Sequence, residues 1–284
     1  MKIKITTDSA SDLSRDMYAK HNIAVTPLTI LKDEQPFKDG LEITPQDIFA
    51  HVDGGGELCT TSAPNIGDFL QLFTSYAQEY DAVIHISLGS GFSSCYQNAC
   101  LAAQEFSNVY VVDSQNLSAG EGHVVMRAVD MVEEGQLSAE EIVAQLNDVV
   151  PRVETSFLLD RLDYMAKGGR CSAVAALGAT MLHLHPCIEV SGGKMRVARK
   201  YRGSLKKSLV SYVQDRLQGA EDIALRRCFV THTGVEPEIS QEVQKTVAEC
   251  LPFREILETR AGCTITCHCG NNCLGILYIR EKSN

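Results

Sequence analysis

The run AVIHISLGSGFSSCYQNACLAAQEFSNVYVVDS, residues 82–114, decides the fold class. Its first part, Ala82 to Leu88, is a short apolar stretch rich in β-branched side chains and reads as a strand. A turn of glycines and serines follows, then a helical pattern from about Ser93 to Phe106, then a second strand over Val109 to Ser114. A strand, a crossover helix and a strand in this order pair in parallel, with a right-handed connection. The turns Ser87 to Ser93 and Asp113 to Gly122 then share the carboxyl edge of the sheet, where ligands gather in open α/β folds.

The same alternation extends outward from this unit. Ile3 to Ser9 reads as a strand ending in an Asp-Ser turn, SDLSRDMYAKH as a helix capped by serine or aspartate, and IAVTPLTIL as a second strand. Thr44-Pro45 opens a short helix that Gly54, Gly55 and Gly56 close. CTTSAPN is a loop leading into the amphipathic IGDFLQLFTSYAQEY. Near Pro151 the pattern changes. PCIEVSGGKMRVARKYRG reads as a hairpin about a Gly-Gly turn, RCFVTHTG, FREILETRAG and LGILYIR as further strands, and SLKKSLVSYVQDRL and EISQEVQKTVAEC as helices, with SAVAALGATMLH a third, alanine-rich one. The pattern predicts an α/β protein of two domains, a parallel-sheet domain over 1–152 and a mixed-sheet domain over 153–284.

With 284 residues, 44% of them apolar, the chain can bury a sizeable core. The net charge of −10, with one short and interrupted basic stretch over 194–207, argues against nucleic acid as a partner. No apolar run is long enough for a spanning helix. MKIKITTDS lacks the apolar core of an export signal, and the odd set of 11 cysteines fits reduced thiols in the cytoplasm better than a disulfide framework.

The turn at residues 89–94 admits more than one chemistry. Gly89, Gly91 and Ser94, with Asp113 about 20 residues on, nearly spell a dinucleotide fingerprint, serine standing where the third glycine belongs. A nucleophile elbow would need glycines two residues either side of its serine, and neither Ser90 nor Ser93 has them. A helix start with a serine hydroxyl suits an anion, carboxylate or phosphate, and Ser93 can equally be a plain cap. Three further segments carry polar candidates: Thr61-Ser62 before Ala63-Pro64, Lys167-Gly168-Gly169-Arg170 at a helix end, and Ile265 to Gly270, which alternates like a strand around His268. Cys263, Cys267, Cys269 and Cys273 surround that histidine and raise a zinc reading. On a strand, however, Cys267 and Cys269 share a face that His268 does not, and paired C-x₂-C knuckles are absent, so no metal is expected.

Together and in order, these segments resemble the DegV family, the bacterial fatty-acid-binding proteins that serve as the B subunit of fatty acid kinase. The resemblance runs through TTDSASDL, TSAP at 61–64, FSSCYQNA where the family has a pattern like LSGTYQSA, VVDSQNLSAGEG, LDRLDYMAKGGRCSAVAALG, and His268 followed by Gly270. It implies a DegV-like fold with a long-chain fatty acid in a tunnel between the domains. The carboxylate would meet the hydroxyls of Thr61 and Ser93, with Ser62 and Ser94 beside them and Arg170 and His268 contributed by the second domain. It also implies that the carrier has no catalytic residue or cofactor of its own and hands the acid to a separate ATP-dependent kinase subunit, which makes the acyl phosphate that feeds phospholipid metabolism. The basic cluster Arg196, Arg199, Lys200, Arg202, Lys206 and Lys207 would dock that kinase or touch an anionic membrane surface, with Arg199, Arg202 and Lys206 at its centre. Ser94 and Cys95 depart from the family's usual glycine and threonine. The alternatives are an enzyme that uses Gly89 to Ser94 with Asp113 for a nucleotide cofactor and a phosphotransfer protein that uses His268.

Overall fold

The computed structural model describes residues 1–175 and 184–282, and shows a mixed α/β architecture built on three sheets. In the first, β2 (Ala24–Thr26), β1 (Ile3–Asp8), β6 (Ala82–Ser87) and β7 (Val109–Asp113) lie in that order, every pair parallel. The 82–114 unit is therefore the expected βαβ crossover, its helix spanning Cys95–Ala103. Six strands form the second sheet, in the order β10 (Lys194–Arg202), β9 (Leu184–Ser191), β8 (Val153–Leu158), β13 (Leu274–Ile279), β11 (Arg227–His232), β12 (Glu255–Arg260). All its pairs are antiparallel except β11 with β12. The third is a small antiparallel sheet of β4 (Gln35–Lys38), β3 (Thr29–Lys32) and β5 (Thr60–Ser62), in that order.

Two sequence expectations change here. IAVTPLTIL is not one strand: Ala24–Thr26 joins the parallel sheet and Thr29–Lys32 the small one. Pro27, which has no amide hydrogen to continue the ladder, marks the break. CTTSAPN is not wholly loop, because Thr60–Ser62 pairs with Thr29–Leu31 as an edge strand. The expected helix SAVAALGATMLH is seen over Ser172–Ala175, and its remainder lies outside the described residues.

The helix Ala119–Glu134 lies at the centre. Every residue from Ala119 to Met126 is buried, as are Ala128 to Met131, because the helix packs on the parallel sheet and also on β8 and β13. A helix buried all round must have neighbours on both sides. Here the apolar core joins Ile84, Ile86, Val124 and Val125 to Phe229 and Leu277 of the six-stranded sheet. Among the described residues, no helix is long and apolar enough to cross a membrane.

Candidate functional site

The carboxyl edge of the parallel sheet is a tightly tied turn. The Asp113 carboxylate accepts from the Ser90 amide at 3.0 Å, the Ser90 hydroxyl and the Gln115 amide at 2.9 Å, and the Gly89 amide donates to the Asn116 carbonyl at 2.8 Å. The acid that a dinucleotide reading assigns to a ribose instead holds the turn. Gly91 is needed for contact: a Cβ there would lie 2.0 Å from the carbonyl oxygen of Gly193, at the tip of the β9–β10 hairpin. The turn thus serves as the seat of a hairpin from the second half of the chain. Just after it, the Ser93 hydroxyl accepts from the Cys95 amide at 3.3 Å, close to the start of Cys95–Ala103.

Opposite stands Thr61, on β5. Asn65 and Asp68 form a capping box that starts the helix Ile66–Ala77, and Asn98 donates to the Pro64 carbonyl at 2.9 Å. These contacts fix the TSAP segment against the helix that Ser93 precedes. The Thr61 hydroxyl lies 2.9 Å from His268 Nε2.

His268 is on a helix, Cys263–Cys269, where the alternating sequence suggested a strand. The reason lies far away in the chain. The Asp39 carboxylate accepts from the amides of Cys263 at 2.9 Å and Thr264 at 3.1 Å and from the Thr264 hydroxyl at 2.6 Å, while Asp12 accepts from the Gly262 amide at 2.8 Å. Two acids from the first half cap this helix and so determine its conformation. The cysteine geometry changes with it. Cys263 and Cys267 pack with Cys59, Ile30 and Ile48, whereas Cys269 and Cys273 belong to another part of the core, so Cys267 and Cys269 do not share a face.

The Gly-Gly-Arg run explains itself against this helix. A Cβ on Gly168 would fall 2.4 Å from His268 Nδ1, and Gly169 ends the helix Asp163–Gly168 with φ at +69°, where side chains are disfavoured. Arg170, exposed, folds back so that Nη1 donates to the Gly168 carbonyl at 2.7 Å. Burial, with the Arg170 charge second, pushes His268 down to about 4, so the imidazole is neutral at pH 7. Its Nδ1 is buried and has no hydrogen-bond partner among the described residues.

Thr61, Ser62, Ser93, Ser94, Arg170 and His268 all line one cavity of about 240 Å³. The rest of its wall is largely apolar, including Leu28, Leu88, Phe92, Met165 and Met195. Leu117, Ile265 and Cys269 also line a second, tighter space of about 20 Å³, whose other walls include Phe157 and Leu277. A largely apolar chamber lined also by hydroxyls, a neutral imidazole and a guanidinium suits an apolar molecule with one anionic end. Sequence reasoning missed the walls from Met165 and Met195 and the supporting acids Asp12 and Asp39. TTDSASDL contains one of these acids, but nothing local indicates its distant partner.

Arg199, Arg202 and Lys206 lie elsewhere, on β10 and the helix Leu205–Leu217. Arg199 pairs with Asp215 at 2.8 Å and Lys206 with Glu242 at 3.4 Å, while Arg202 is exposed and makes no ion pair among the described residues.

Fold and site together define an α/β protein with a cavity that combines polar side chains with a largely apolar wall. The chain belongs to the DegV family, whose model, described as an uncharacterised protein of the DegV family, matches residues 2–281. A DegV domain-containing protein of Caldanaerobacter subterraneus is 31% identical over 280 residues, covering 98% of both chains. Among solved structures, a DegV family protein from Thermus thermophilus, described by its fatty acid binding, superposes with TM-score 0.89 at 32% identity, over 99% of this chain and all of that one. DegV of Bacillus subtilis, described as a fatty acid binding protein, gives 0.82 at 27% identity, over 99% of this chain and 100% of its own. A stearic acid-binding protein from Eubacterium ventriosum gives 0.84 at 25% identity, over 98% of each.

Proposed function

We propose that this protein binds a long-chain fatty acid and presents its carboxylate to a separate kinase subunit, which uses ATP to form the acyl phosphate. The observation that carries the reading is the convergence of Thr61, Ser93, Arg170 and His268, from four separate segments, on one cavity whose remaining wall is largely apolar. The carboxylate accepts from the hydroxyls of Thr61 and Ser93, with Ser62 and Ser94 at the rim, and Arg170 keeps it ionised. His268 orients the Thr61 hydroxyl. The tail supplies affinity: about 15 methylenes at ~0.8 kcal/mol each give a gross term of roughly 12 kcal/mol, reduced by ordering costs. Relatives described as fatty acid binding support the same ligand class.

In this reading the protein is a cytoplasmic carrier of two domains, 1–152 and 153–284, with the ligand at their seam and no catalytic group of its own. Arg202, with Arg199 and Lys206 beside it, docks the kinase subunit or an anionic membrane surface. Extraction of the purified protein followed by mass spectrometry is the test. A long-chain fatty acid at near one equivalent is expected; neither copurified lipid nor uptake of added stearate or oleate would overturn the reading. Reversing Arg202 and Lys206 to glutamate leaves fatty acid binding intact and slows transfer to the kinase, and unchanged transfer would remove the docking role.

A further inference from the structure

A larger hollow lies outside the fatty-acid cavity and shares no lining residue with it. It is an open cleft of about 530 Å³ between the first helical turns of the chain and the end of β12. Such a volume suits a small organic ligand. Its walls are mainly apolar, among them Leu13, Tyr18, Val25, Pro27, Leu41 and Pro45. Leu41 is 76% exposed at its edge, an uncovered apolar side chain.

Two exposed arginines and three acids line the cleft. Arg15 and Arg260 both line it and are exposed, and neither makes an ion pair among the described residues, although the chain as a whole carries −10. The acids of the same walls are otherwise engaged. Asp12 and Asp39 are buried and accept from the amides and hydroxyl that cap Cys263–Cys269. Burial pushes Asp12 up to about 8, so at neutral pH it brings little negative charge. The Glu258 carboxylate is turned toward the helix Pro237–Cys250, where it lies 2.9 Å from the buried His232 Nε2 and accepts from Ser240 and Gln244.

We propose that this cleft is a second ligand site, for an amphiphilic anion whose apolar body lies against Leu13, Tyr18 and Leu41 and whose carboxylate or phosphate head is held between Arg15 and Arg260. The complementarity is of shape and of charge: Arg15, held by the Gly40 carbonyl at 3.0 Å, and Arg260 have no carboxylate partner among the described residues, and beside apolar walls they gain most from a ligand carrying both features. The cleft shares no lining residue with the 240 Å³ cavity and only Ala261 with the tighter space beside it.

Titration calorimetry of the full chain with dodecanoate and, separately, dodecyl phosphate, both below their micelle concentrations, tests it. A binding event is expected that weakens tenfold or more in the Arg15→Gln/Arg260→Gln double variant and is unchanged in Thr61→Val/Ser93→Ala. Response to one probe alone identifies the head group. If the only event is lost in Thr61→Val/Ser93→Ala and kept in Arg15→Gln/Arg260→Gln, the cleft is not a site and the fatty-acid reading stands. An event with the opposite sensitivities alone would uphold the cleft and sink that reading. Unchanged melting of each variant separates lost binding from lost folding; should Arg15→Gln/Arg260→Gln melt early, Arg15→Lys/Arg260→Lys, which keeps the charge, is expected to retain the event, and its loss there in a folded protein overturns the proposal.

Discussion

Thr61 and His268 form the one direct hydrogen bond between the proposed hydroxyl donors and the histidine of the site, and their energetics bound what a single substitution does. Thr61→Val keeps the shape of the side chain and removes its hydroxyl, leaving His268 Nε2 without its partner at 2.9 Å. Loss of the Thr61 hydroxyl's bond to a charged carboxylate costs about 1.5 to 3 kcal/mol, so fatty acid affinity is expected to fall roughly 10- to 150-fold, while the unpartnered imidazole lowers the melting temperature by a few degrees. Equilibrium binding of a fluorescent fatty acid measures it. Asp12 supports a second prediction at this scale. Its carboxyl is pushed up to about 8 by burial, so the folded chain keeps a proton that the unfolded chain releases near the ordinary aspartate value of about 4. The stability this contributes is fully present at low pH and is lost as pH rises toward 8. Below about pH 6.5 the buried histidines act oppositely, since His85 and His123 are pushed down to about 3 and His268 to about 4. Between pH 6.5 and 8, then, Asp12→Asn is expected to flatten the decline in melting temperature, by an amount worth at most about 2 kcal/mol. Asp12 has φ at +50°, which asparagine adopts readily, so the variant folds. Parallel slopes for the two proteins would show that Asp12 is ionised throughout.

At the scale of elements, the hairpin of β9 and β10 carries the sharpest test. Its tip touches Gly91 so closely that a methyl group has nowhere to go. Gly91→Ala is expected to lift the tip, shift Met195 in the cavity wall, cost about 1 to 3 kcal/mol of stability and speed fatty acid release, as calorimetric melting and stopped-flow dissociation would measure. Legibility also divides by element. The 82–114 crossover was readable because its strands and helix are consecutive and each has a local period. Cys263–Cys269 was not, because Thr264, Ile265 and Thr266 are β-formers in an alternating string, and the carboxylates that make them helical come from Asp12 and Asp39, more than 200 residues earlier. Strand β5 was missed for a similar reason: three residues before Ala63-Pro64 carry no period of their own and are strand only because β3 pairs with them. The polar residues that line one cavity, by contrast, were singled out together in the sequence. Thr61, Ser93, Arg170 and His268 came from a resemblance between motifs; the apolar walls from Leu28, Met165 and Met195 have no motif, because many apolar side chains fill a wall equally well.

At the scale of the whole molecule, the division of the chain near residue 152 describes the sheets better than it describes the energetics. The helix Ala119–Glu134 belongs by sequence to the first part, yet its His123 lies 2.8 Å from the Leu277 carbonyl oxygen and its flank packs on β8 and β13. Stripped of the six-stranded sheet, that helix would offer water a mainly apolar side, and the buried His123 and Asp130 on it would lose Leu277, Arg226 and Arg227. A gene severed between codons 152 and 153 should therefore yield two fragments that precipitate when made apart and regain solubility only when made in the same cell.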